Sequence, residues 1–332
     1  ESVFNGCSSL TSVSIPPSVT EIGVCAFSGC SSLTSISIPP SVTEIGWNAF
    51  WGYSGLTSVH ITDIAAWCNI DFGNASSNPL YYAHHLYLNG EEVKDLVIPN
   101  SVTEIGRSAF WGCKSLTSIS IPPSVTKIGG AAFSGCSNLT RIIVSKDNKF
   151  YDSREDCNAI IHTESNTLIR GCKNTIIPPS VTEIVGGAFS GCSSLTSISI
   201  PPSVTKIGKY AFFHCSSLTS ISIPPSVTKI WWGAFWGCSS LTSITIPPSV
   251  TEIGWHAFSD CSSLTSITIP PSVTEIGEWA FSGCPSLTRA EGPAFIAQKL
   301  PKEQLTTFVI SEGETKIGKD AFRDCFSLTS IS

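Results

Sequence analysis

Short bursts of alternating apolar and small polar residues run through this chain. LTSISI or a close variant starts at Leu10, Leu33, Leu56, Leu116, Leu195, Leu218, Leu241 and Leu264. Period-two alternation with many β-branched residues predicts a strand with one face buried. The prolines that follow end ladder hydrogen bonding and turn the chain. Next comes V-T-E-I, predicted as a second short extended piece. G-x-x-A-F-x-G-C follows, long enough for one or two helical turns. The whole phrase, C-S-S-L-T-S-I-S-I-P-P-S-V-T-E-I-G-x-x-A-F-x-G, repeats every 23 residues.

A fixed period of this length is the signature of a solenoid, in which each coil covers its neighbour's apolar face. The expected fold is therefore an α/β repeat solenoid running as one body over residues 1–332. Its parallel sheet lies on the concave side and short helical or 3-10 turns lie on the convex side. Three irregular segments interrupt the period, at about 60–92, 145–171 and 290–304. Within them, Asn78-Pro79 fits a helix start and Asn89-Gly90 a tight hairpin turn. NAIIHT and TLIRGC flank Glu164-Ser165 symmetrically, a hairpin that sets Cys157 opposite Cys172 and leaves a disulfide there an open question. Gly292-Pro293 begins a short helix that ends before Pro301.

Composition narrows the function. Lys plus Arg total 19 against 25 Asp plus Glu, a net charge of -6 with no basic run, so nucleic acid is not an expected partner. No apolar run approaches the ~20 residues of a bilayer span, and direct membrane insertion is not expected. The chain has no Met, and ESVFNGCSSL and CFSLTSIS begin and end in mid-motif, which reads as a piece of a longer array. Ten of the 14 cysteines fall on one ladder: Cys7, Cys30, Cys113, Cys136, Cys192, Cys215, Cys238, Cys261, Cys284 and Cys325. Tyr53 fills a vacant rung. Equivalent positions of stacked coils point into one layer, so these thiols are expected as buried small hydrophobes.

The near-verbatim returns of LTSISIPPSVTEIG and AFSGC resemble the BspA-like leucine-rich repeats, the Treponema pallidum type of the leucine-rich-repeat superfamily. The resemblance covers the whole chain. It implies a leucine-rich-repeat arc on a secreted or cell-surface protein, hence an extracellular or cell-surface location, with roles in adhesion or contact with a host or another cell.

Candidate chemistry is sparse. Cys68, Asp71, His84 and His85 share one segment but match no nucleophile spacing, and Cys68 with Trp67 is expected to pack a small helix on the solenoid. His84-His85 lacks the spacing of a zinc set. No cofactor, metal or enzymatic activity is expected. The slot before I-G carries Glu21, Glu44, Glu104, Lys127, Glu183, Lys206, Lys229, Glu252, Glu275 and Lys316. It reads as a solvated face in which Glu104 can pair with Lys127 while Lys206 and Lys229 repel.

Variation concentrates around A-F. Eight of the nine tryptophans lie there, and Trp231 replaces the usual glycine. Slots that accept Lys, Glu, Arg, Trp or Gly cannot be core, so they face outward. The expected ligand-binding residues are Trp47, Trp51, Trp111, Tyr210, Phe213, Trp231, Trp232, Trp236, Trp255, His256 and Trp279. A uniform scaffold with aromatic variation at outward slots suggests a binder of macromolecules, protein in the first place. Carbohydrate binding and a purely structural stalk are the alternatives.

Overall fold

A computed structural model describes residues 1–52 and 55–332; the Tyr53 rung lies outside them. The chain forms two compact units, Glu1–Thr163 and Glu164–Ser332, each a stack of parallel coils. In the first unit, strands Ser35–Ser37, Ser58–Ile61 and Leu86–Leu88 lie parallel in register, Ile36 beside Val59 beside Leu86. Asp95–Val97, Ser118–Ile121 and Arg141–Val144 continue the pattern, with Leu96, Ile119 and Ile142 side by side. The second unit carries a separate seven-stranded sheet of the same kind, from Ser197–Ile198 to Ser330–Ile331. The V-T-E-I phrase forms a second line of two-residue parallel strands, such as Lys229–Ile230 beside Glu252–Ile253.

The core is built from repeated layers. Phe189, Phe212, Phe235, Phe258 and Phe281 stack face to face with centroids 5.1–5.4 Å apart. Phe4, Phe27 and Phe50 do the same in the first unit. The ladder cysteines from Cys30 to Cys284 are buried. Cys7 is exposed and Cys325 half-buried. The buried thiols also make polar contacts. Cys238 Sγ donates to Phe212 O at 3.2 Å, and Cys215, Cys261 and Cys284 repeat the bond one coil apart. The carbonyl of one coil is thus capped by the thiol of the next.

The A-F segment is not helical, a correction to the sequence-based expectation. Alternate amides reach the following coil: Gly233, Phe235 and Gly237 N–H donate to Trp255, Ala257 and Ser259 O at 2.9, 2.9 and 2.8 Å. The amides between them close tight turns, Ala234 to Trp231 O and Trp236 to Gly233 O. A helix would satisfy all of these groups internally and leave none to lace the coils together. The alternation requires left-handed backbone at two places per turn, here Gly233 (φ 59°) and Gly237 (φ 75°). The inward assignment holds, since Phe235 and Cys238 are fully buried, and the first slot after I-G is outward at the exposed Trp232. The other variable slots are not uniformly outside, because Ser108 in the second and Ser28, Ser134 and Ser259 in the third, after A-F, are buried.

The irregular segments fold as the sequence indicates. Helix Ile64–Cys68 is capped by Asp63, whose carboxylate accepts from Ala65 and Ala66 N–H. Trp67 is buried and its Nε1 donates to Ala109 O at 2.8 Å. Asn78 Oδ1 accepts from Leu80 N at the start of helix Leu80–Ala83. Asn89 and Gly90 (φ 52° and 87°) turn the chain between antiparallel strands Leu86–Leu88 and Glu91–Glu92. A 3-10 turn spans Ala294–Lys299. Cys157 is a free thiol, its Sγ directed at Ala159 O, so the bridge to Cys172 is not formed.

Candidate functional site

The variable slots of the A-F turn are the first and second residues after the I-G position and the residue after A-F. Of the eleven residues singled out from the sequence, Trp47, Trp51 and Trp111 lie in the first unit and eight in the second. In the second unit, seven of the eight form one continuous strip over four turns. Tyr210 meets Phe213 edge-on at 5.5 Å and Trp232 at 5.8 Å; Phe213 meets Trp236 at 5.5 Å. Trp236 stacks on His256 at 4.6 Å and 11°, His256 on Trp279 at 5.2 Å and 22°, and Trp279 meets Trp255 edge-on at 5.9 Å.

Two members of the strip are held in place. Trp236 Nε1 donates to Asp260 Oδ2 at 2.8 Å, and His256 Nδ1 lies 3.2 Å from Ser259 Oγ. Trp232, Trp255 and Trp279 are 42%, 51% and 57% exposed. The Cδ1 edge of Trp255 rests on Gly277, where a Cβ would come within 2.5 Å of it. These three rings thus leave about half of their surface to water, and Trp255 still covers a neighbouring glycine.

The second slot is conformationally unusual. Its occupants have φ between 53° and 73° in coil after coil, where Cys25, Asn48, Ser108, Ala131, Gly187, Gly233 and Asp320 stand elsewhere. In the second unit Tyr210 (57°), His256 (53°) and Trp279 (56°) fill it. Left-handed backbone on a bulky side chain costs on the order of 1–3 kcal/mol and clusters at functional sites.

Trp231 stands apart from the strip, on the line of charged residues. Lys229 Nζ lies 4.4 Å and Lys206 Nζ 5.9 Å from its ring centroid. Lys229 pairs with Glu252 at 2.6 Å and Lys206 with Glu183 at 2.8 Å. The expected lysine repulsion is relieved by pairing in opposite directions around an indole. Glu104 pairs with Lys127 at 2.6 Å, as anticipated. In the first unit, Trp47 and Trp51 are 60% exposed and Trp111 meets Tyr81 edge-on at 5.8 Å.

Sequence reasoning missed a second surface. The outer slot of the strands, Ser or Thr in regular coils, holds His60 and Tyr87 in register, stacked at 4.8 Å. It then holds Val97 and Ile143 on either side of Ser120, 66% and 38% exposed. The signal was present: these coils adjoin or belong to the irregular segments, where the consensus hides departures from it.

The Cys68 segment offers no reactive constellation. Burial, then the nearby Asp63 carboxylate, pushes the Cys68 thiol up to about 12. His84 Nδ1 bonds Gly112 O at 2.9 Å, and His85 Nδ1 pairs with Glu92 at 2.6 Å. Burial holds His84 below the usual imidazole range. No group of three metal-ligating side chains occurs among the described residues, and no helix there is long and apolar enough to cross a membrane.

Comparison with known proteins places these coils in context. Residues 1–76, 83–158, 165–288 and 300–332 match the BspA type leucine rich repeat region. Among solved structures, the chain is similar to a leucine rich cell surface protein of Faecalibacterium prausnitzii A2-165, at 26% identity. That match covers 94% of this chain and 82% of that one, with a TM-score of 0.47. It is similar to the T. pallidum leucine rich repeat protein at 31% identity over 55% of this chain and 79% of that one, TM-score 0.38. The pneumococcal vaccine antigen PcpA shares the fold, at 19% identity, 95% and 80% coverage and a TM-score of 0.53. No curated protein gives a significant match.

Proposed function

The chain belongs to the BspA-type leucine-rich repeat family, and from that premise we propose that it is a non-enzymatic surface module that docks a protein through the aromatic strip of its second unit. The residues of the site are Tyr210, Phe213, Trp232, Trp236, Trp255, His256 and Trp279, with Trp47, Trp51 and Trp111 forming a lesser ring surface on the first unit. Trp231 belongs to the charged line and is not part of the contact. The proposal includes a cell-surface or extracellular location, which the family resemblance supports.

One observation carries the reading: three rings occupy a slot whose left-handed backbone favours glycine. Mere cover for the turn would be obtained with less strain from the first and third slots. Exposed Trp and Tyr are favoured anchors in protein interfaces, and contiguous exposed apolar patches on soluble proteins mark contact sites. Sugar stacking along the strip itself is less suited, because Trp236, His256 and Trp279 occupy one another's faces. The strand-face patch of His60, Tyr87, Val97 and Ile143 supports a second reading, docking on the sheet.

Site-specific photocrosslinking separates the two. A benzoyl-phenylalanine at Trp255 is expected to capture a protein from the surface of a contacted cell, and one at Ser120 to capture none. Crosslinks from Ser120 alone would move the interface to the strand face.

A further inference from the structure

The ring stack of the second unit stops abruptly at Trp279. His256 of the preceding coil covers one face of this indole at 5.2 Å. On the other side the repeat is broken: Leu287 to Leu305 is 18 residues rather than 23, and the 3-10 turn Ala294–Lys299 replaces a full A-F turn. Among the described residues no ring continues the stack there. Instead a cavity of about 430 Å³ opens, bounded by Trp279, Glu278, Gln298, Lys299, Leu300 and Gln304. Its size lies within the ~300–1,000 Å³ of small-molecule sites.

We propose that this notch binds one pyranose unit of a glycan, stacked on Trp279. A pyranose has one face of C–H groups, which suits the electron-rich face of an indole, and a rim of hydroxyls that both donate and accept. The walls supply both roles: the Glu278 carboxylate, the Lys299 ammonium paired with it, the Gln304 amide, and the amide oxygen of Gln298, whose Nε2 already donates to Lys319 O at 3.2 Å. An aromatic side chain in the same place would strip water from these polar groups without replacing its hydrogen bonds, which is unfavourable. A small anion would meet Glu278 as well as Lys299. The notch shares Trp279 with the end of the proposed docking strip but not Trp232, which lies two turns away and does not line it, so a change at Trp232 separates sugar binding from protein docking.

The test is titration of the intact chain with methyl β-D-glucopyranoside, methyl β-D-galactopyranoside, methyl α-D-mannopyranoside and chitobiose. N-acetyl-tryptophanamide and sodium sulfate are run beside them, followed by tryptophan fluorescence and saturation-transfer NMR. At least one sugar is expected to saturate, with a dissociation constant on the order of 1 mM. Trp279→Ala should weaken it about tenfold or more; Ala131 already holds this slot at φ 59°, so the scaffold accepts the change. Gln304→Ala should weaken it several-fold without disturbing the turn, and Trp232→Lys should leave it unchanged. The proposal is overturned if no sugar saturates, if binding survives Trp279→Ala or Gln304→Ala, or if N-acetyl-tryptophanamide or sulfate binds in place of the sugars.

Discussion

The cysteine ladder shows how much one side chain contributes when it recurs. Cys238 fills a buried position and caps Phe212 O, so Cys238→Ala loses a bond and leaves a small void. The expected destabilisation is about 1–2 kcal/mol, read from urea titration. Burial raises the Cys238 thiol from 9.0 to about 12, and Cys284 likewise. In the unfolded chain these groups ionise near 9, while the folded chain holds their protons to about 12. The unfolded state therefore binds fewer protons in that window, and stability must fall as pH rises through it. Melting temperature measured from about pH 8 to about pH 11 should decline, and less steeply in the Cys238→Ala variant; identical slopes would argue against buried protonated thiols. Burial of the ladder follows from the repeat alone. The S–H bond to the previous coil does not, because a repeat states which residues align and not which atoms touch.

At the scale of the element, the strand and the V-T-E-I bridge were legible from alternation and proline, and the 3-10 turn at Ala294–Lys299 from Gly292-Pro293. The A-F turn was not. A-F-x-G-C spacing is compatible with a helix, and the left-handed slot that forbids one is filled by Tyr210, His256 and Trp279 in three coils but by glycine in only two, Gly187 and Gly233. Side-chain identity therefore concealed the backbone state. The same element gives two contrasting expectations. Phe235, sandwiched between Phe212 and Phe258 at 5.4 Å, should cost about 3–5 kcal/mol on change to Ala. Trp231→Gly restores the consensus glycine while removing cation–π contacts worth about 0.5–1 kcal/mol each at an exposed site. Its melting point should move little, and ligand binding not at all, which calorimetry and the crosslinking assay can check together.

On the scale of the molecule, a monotonous scaffold displays variation at few places. The repeat made the fold and the outward slots readable, but the strip's continuity depended on ring geometry that slot counting could not supply. The strand-face patch of Val97 and Ile143 was overlooked because it lies where the period is interrupted. The central claim is that the strip of the second unit is the docking face, and the double variant Trp232→Lys/Trp255→Lys tests it most directly. Lys209 and Lys319 already occupy this slot in other coils, so the scaffold tolerates the residue. Affinity for the protein captured by the Trp255 crosslinker, measured by surface plasmon resonance, should fall at least about thirtyfold, since such anchors typically contribute about 2 kcal/mol or more each, while the melting temperature stays within a few degrees. Unchanged affinity, or a collapse in melting temperature with affinity per folded molecule preserved, would contradict it and leave the rings as structural cover.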